Sequence, residues 1–113
     1  MSQSNLTLNL VQGSVTLSFS PDAARELKAA MDELVNRLKT VATATNSGSK
    51  PIPQKSIEFR HDEEIFLEVF CNPNIWATPF AAKVLLTVRD RNIRLSTEAE
   101  LSQIIEDINQ YLN

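Results

Sequence analysis

The chain has little of the material from which familiar sites are built. Its one cysteine, Cys71, leaves no partner for an internal disulfide or a paired-cysteine zinc site. Its two glycines, Gly13 and Gly48, are too few for a glycine-rich phosphate loop. A single histidine, His61, excludes a histidine-pair metal motif of the H-E-x-x-H kind. Basic residues are in deficit, 11 against 14 acidic ones, for a formal net charge of -3. A dedicated nucleic-acid binder has the opposite balance. No apolar run approaches the ~18 residues of a membrane helix. The start, Met1-Ser2-Gln3-Ser4-Asn5, lacks the basic residues and apolar run of a secretory leader, and no lipidation signal is present. These absences lead us to expect a soluble cytoplasmic protein with no membrane partner and no cofactor.

What is present is an ordinary globular composition over 113 residues, 42% hydrophobic and 22% charged. That length suits one domain, spanning 1–113. Leu6, Leu8 and Leu10, then Val15, Leu17 and Phe19, alternate with polar residues. The period of two predicts a β-hairpin. A turn at Gln12-Gly13 sets Leu10 opposite Val15, Leu8 opposite Leu17 and Leu6 opposite Phe19. Ser20-Pro21-Asp22 then has the chemistry of a helix start: a capping hydroxyl, a proline for the first turn and an acid at the positive end. Leu27, Met31, Leu34, Leu38 and Val41 follow as one apolar stripe.

From about 42–54 the composition shifts to small and polar residues with Pro51 and Pro53, which predicts a flexible loop. Ile57 and Phe59, then Leu67 and Val69, alternate again and predict a second hairpin turning within His61–Glu64. Phe66 and Phe70 fall on its other face, which implies that another element or a second subunit covers that face. The stretch 80–91 has two readings. Val84, Leu86 and Val88 alternate as a strand would. Thr78 as cap and Pro79 as first residue would start a helix, and we prefer the helix. The last helix opens on Thr97-Glu98-Ala99-Glu100, which has capping-box spacing. It buries Leu101, Ile104, Ile105, Ile108 and Leu112.

The expected fold is therefore α+β: an antiparallel sheet of two β-hairpins with helices packed mainly on one face, in the order ββα, loop, ββ, αα. The expected core is Leu8, Leu17, Phe19, Leu27, Leu34, Ile57, Phe59, Leu67, Val69, Leu101, Ile105 and Ile108.

Three function classes remain open. The preferred one is a non-catalytic interaction or assembly module with a protein partner, including a homodimer. It rests on the uncharged loop Asn72-Pro73-Asn74-Ile75-Trp76, which carries the only tryptophan, and on the second apolar face of the strands. The alternative is a nucleic-acid-associated regulatory protein using the basic segment 83–94, with Lys83, Arg89, Arg91 and Arg94. That segment has no interleaved aromatics for base stacking. The third is a small enzyme or metal protein around His61, its neighbouring acids and Cys71, a pair that nucleophilic or metal chemistry would require to converge. Candidate surface residues are Asn72, Pro73, Trp76, Arg89, Arg91 and Arg94; no catalytic, cofactor or metal residue is assigned. Val69-Phe70-Cys71-Asn72-Pro73, Leu95-Ser96-Thr97-Glu98-Ala99-Glu100-Leu101 and Tyr111-Leu112 together resemble small conserved hypothetical proteins of cyanobacteria, a group that brings no activity with it.

Overall fold

The computed structural model describes residues 5–113; Met1–Ser4, read above for a leader, lie outside the described residues. In chain order the elements are β1 (Asn5–Leu10), β2 (Gly13–Ser18), α1 (Pro21–Asn46), β3 (Ile57–Asp62), β4 (Phe66–Cys71), β5 (Lys83–Arg89), β6 (Arg94–Glu100) and α2 (Leu101–Leu112). A single 3-10 turn, Pro73–Ile75, lies between β4 and β5. The fold is α+β. β1 and β2 form a two-stranded ribbon, and β3-β4-β5-β6 form a four-stranded antiparallel meander.

One apolar cluster joins all the layers. It contains Leu6, Leu8 and Leu17 of the ribbon, Leu27, Met31 and Leu34 of α1, and Leu67, Val69, Val84 and Leu86 of the sheet. Leu101, Ile104 and Ile108 of α2 complete it. α1 packs along the β3 side of the sheet, α2 lies against α1 and β6, and β1 runs beside α2. Every residue of the expected core is in this cluster except Phe59 and Ile105, which are half-buried against it. Burying such side chains is worth roughly 1.5–3 kcal/mol each, enough for the layers to hold one another. No helix among the described residues is long and apolar enough to cross a membrane.

The first hairpin turns one residue earlier than its sequence suggests. Leu10 pairs with Gly13, Leu8 with Val15 and Leu6 with Leu17, around Val11-Gln12. The positive φ falls on Gly13, at 117°, just after the turn. Only glycine takes that backbone easily. The register moves by two residues, so the apolar side chains keep their shared face.

α1 starts where the capping chemistry predicts, with Ser20 Oγ accepting from the Ala23 N–H. It continues to Asn46, so the first part of the 42–54 stretch is helical rather than loop. The returning limb is fastened by Asn74, whose amide accepts from the Gln54 N–H and donates to the Gln54 carbonyl.

The largest correction concerns 80–91, which is not a helix. Thr78 does begin one turn, with Ala81 N–H donating to Thr78 and Ala82 N–H to the Pro79 carbonyl. The turn does not propagate, because Lys83–Arg89 pairs with β4 on one side and β6 on the other. Residues 94–100 form the second of these strands, so Thr97 and Glu100 make no capping box; α2 begins at Leu101. A short apolar run of β-branched residues fits either period, and the neighbouring strands decide it. Among the described residues the order is therefore ββα followed by four strands and one helix.

Candidate interaction surface

Strand alternation gives the four-stranded sheet two unlike faces. Ile57, Leu67, Val69, Val84 and Leu86 point into the core. Their neighbours in sequence point the other way, and the pairing lines those neighbours up in three rows across all four strands, with the pair Lys83 and Glu100 beyond the first row. The first row is Glu58, Phe70, Leu85 and Glu98. The second is Arg60, Glu68, Thr87 and Ser96. The third is Asp62, Phe66, Arg89 and Arg94.

Each row has its own chemistry. In the first, Phe70 and Leu85 sit directly opposite one another, 36% and 47% exposed, between two glutamates. The second row is tied by ion pairs that also reach into the first. Arg60 Nε donates to Glu68 Oε2 at 2.8 Å and Arg60 also reaches Glu58 at 3.2 Å. These carboxylates raise the Arg60 pKa further above its ordinary value, the Glu68 hydrogen bond most of all. Thr87 is buried in the middle of this row, its hydroxyl 3.3 Å from that of Ser96. In the third row the Arg89 guanidinium lies 4.3 Å from the centre of the Phe66 ring, a cation–π contact. Arg94 is its cross-strand neighbour. The Phe70–Leu85 pair with its acidic flanks thus lies toward one end of the face, the Arg60–Glu68–Thr87–Ser96 row crosses its middle, and the cations Arg89 and Arg94 lie at the other end.

The residues singled out from sequence separate into two groups. Arg89 and Arg94 come together in the third row. Arg91 is exposed in the tight turn between β5 and β6, and Lys83 lies at the far end of β5, opposite Glu100. The Trp76 loop serves the scaffold. The Asn72 side chain accepts from the Asn74 N–H, and Pro73 is buried. Trp76 is half-buried against the core, its indole N–H lacking a well-placed acceptor. Burial pushes the Cys71 thiol up from its ordinary pKa, only partly offset by the nearby Trp76 N–H. Leu85 and Thr87 were missed. Their signal was the strand reading of 80–91, which puts both opposite Val84 and Leu86.

His61 and Cys71 are not brought together. They lie at opposite ends of the β3–β4 pair, since His61 faces Leu67 while Cys71 faces Ile57. Four residues of strand separate them by about 13 Å. The His61 ring meets Phe19 edge-on at 4.7 Å and its Nε2 lies 3.6 Å from Glu63. No cluster of three potential metal ligands occurs among the described residues. Comparison of the chain with protein-family models, with curated proteins and with solved structures yields no match.

Proposed function

We propose that the chain is a non-catalytic, cytoplasmic protein-interaction module whose docking surface is the open face of the four-stranded sheet. The observation that supports this reading is the Phe70–Leu85 pair, side by side and uncovered by any described element of the chain. Two large adjoining apolar side chains bordered by Glu58, Glu68 and Glu98 have the anatomy of an interface core and rim. The occupant that fits is a protein offering an apolar anchor, with basic groups toward Glu58 and Glu98 and acidic groups toward Arg89 and Arg94.

The test is capture from lysate of the source organism, followed by titration of the captured protein, remade pure, against wild type and Phe70→Ser/Leu85→Ser. The reading expects affinity to fall by about thirtyfold, since a central anchor pair is worth roughly 2 kcal/mol or more. Equal binding to both forms would falsify it.

A second reading, contact with single-stranded nucleic acid, draws on Arg89 and Arg94, directly opposed and without an acid in salt-bridge range among the described residues. It is weakened by Phe66, whose ring is already occupied by Arg89. Binding of an oligonucleotide that falls steeply with salt and is lost in Arg89→Glu/Arg94→Glu would favour it.

A further inference from the structure

We infer that two copies of the chain associate through the exposed edge of β3, in an antiparallel pairing centred on Phe59 that joins their sheets into one. β3 is an outer strand, with β4 as its only strand neighbour among the described residues. Alternate N–H and C=O groups of such a strand point away from the sheet, and an added strand is their natural complement. Beside this edge lies a groove, bounded by Glu26, Ala30 and Arg37 of α1 and by Ile57 and Phe59 of β3. The other outer strand, β6, has the β1–β2 turn next to it, with Leu10 and Val11 beside Leu95 and Thr97.

The charges on β3 say which strand fits. Edge strands are commonly protected by charges that repel a second copy. Here Glu58 and Arg60 have opposite signs and flank Phe59 symmetrically; both already belong to the in-chain Arg60–Glu58 and Arg60–Glu68 pairs, so a second copy extends that network. If Phe59 faces Phe59 of the second copy, Glu58 of each copy faces Arg60 of the other, which gives two favourable cross-strand pairs. The nearest registers that keep the faces aligned are unfavourable. Centring on Arg60 opposes Arg60 to Arg60 and Glu58 to Asp62; centring on Glu58 opposes Glu58 to Glu58. A register centred on His61 would pair Arg60 with Asp62, but it overlaps only residues 60–62 of β3, against 57–61 for the Phe59-centred register, which combines charge pairing with the longer ladder.

The helix agrees with this axis. Arg37 donates to the carbonyls of Lys55 and Ser56, so it sits level with the approach to β3. Phe19, just before α1, touches His61 near the far end of β3, so helix and strand run in opposite directions. From Ser56 to Phe59 is about 10 Å of strand, or roughly seven residues of helix, which brings Ala30 level with Phe59. A methyl group at the axis leaves room for the second helix. The association does not rest on the docking-face reading, because Phe70 and Leu85 lie on the open face and leave the β3 edge untouched when replaced.

Sedimentation equilibrium of the full chain tests it. Wild type should show a mass that climbs from monomer to dimer with concentration. Glu58→Arg and Arg60→Glu should each weaken the dimer about tenfold or more, by opposing like charges. An equimolar mixture of the two variants should associate again, because one copy then carries two positive and the other two negative groups. The double variant Glu58→Arg/Arg60→Glu should associate like wild type. Circular dichroism confirms that each variant is folded. A wild-type monomer up to about 1 mM, single variants that dimerise unchanged, or a mixture that stays monomeric would each overturn the inference.

Discussion

The two faces of the four-stranded sheet are made by the same strands and differ only in what covers them. Leu85 and Leu86 are consecutive residues of β5, yet Leu86 is fully buried while Leu85 is 47% exposed. The inner face is closed by α1, α2 and the β1–β2 ribbon; the open face has charge networks and an apolar pair with no covering layer among the described residues. Residue type alone does not distinguish a core position from a docking position; the layer above it does. The sharpest way to break this contrast is to truncate both leucines. Leu86→Ala should cost about 2–5 kcal/mol in urea unfolding. Leu85→Ala should stay within about 0.5–1 kcal/mol. Equal costs would mean that the open face is covered in solution.

A second test asks how the ribbon is tied to the inner layer. Asp107 is buried on α2, and its carboxylate accepts from the Asn9 N–H at 2.7 Å, the Asn9 side-chain amide at 2.8 Å and Gln103 Nε2 at 2.9 Å. The Asn9 N–H lies on the outer edge of β1 and has this acid in place of a strand partner. Asp107→Ala should cost about 1–3 kcal/mol, because it leaves a partly buried donor unpaired. Amide exchange should accelerate at Asn9 while Leu67 and Val69 stay protected to the global limit. Unchanged exchange at Asn9 would show that apolar packing alone holds the ribbon.

Much of this arrangement is legible in the residues, and the unreadable parts have physical causes. Alternation identifies the inner faces of β1 to β4, and the three-residue turn puts Phe66 and Phe70 on the open side. The Ser20 cap and the Leu27-to-Val41 stripe locate α1, because capping and periodicity agree there. At 80–91 the local signals conflict: Thr78-Pro79 asks for a helix, Val84, Leu86 and Val88 tolerate both periods, and only pairing with β4 and β6 resolves them. The candidate surface depends on the same pairing. Leu85 and Thr87 face Phe70 and Glu68 only if 83–89 is a strand. Arg89 and Arg94 were visible as a basic segment, but their adjacency depends on the same pairing. Trp76 drew notice by its rarity, whereas a large ring most often fills space against a core, as it does here. Asp107 left a faint signal, an acid among Ile104, Ile105 and Ile108.

The smallest expected effect lies at the turn that sets the basic row of the open face. Asp90 closes the β5–β6 connection: its N–H donates to the Ile93 carbonyl at 2.9 Å, and its Oδ1 accepts from the Asn92 and Ile93 N–H groups at 2.8 Å each. These backbone donors, Asn92 first, hold the Asp90 carboxyl below its ordinary pKa. A depressed folded-state value means that the contribution is present above the unfolded-state pKa of about 3.9 and is lost as pH falls through the folded value. The turn should therefore loosen below about pH 4 while the inner face stays intact. Amide exchange at Asn92 and Ile93 followed by NMR through an acid titration reads this directly. In Asp90→Ala the same amides should exchange fast at every pH, with Leu67 and Leu86 unaffected and Arg89 no longer held opposite Arg94. Acid loss of protection that appears equally at Leu86 would place the titrating group in the core, and the turn would then not be a separate unit of the open face.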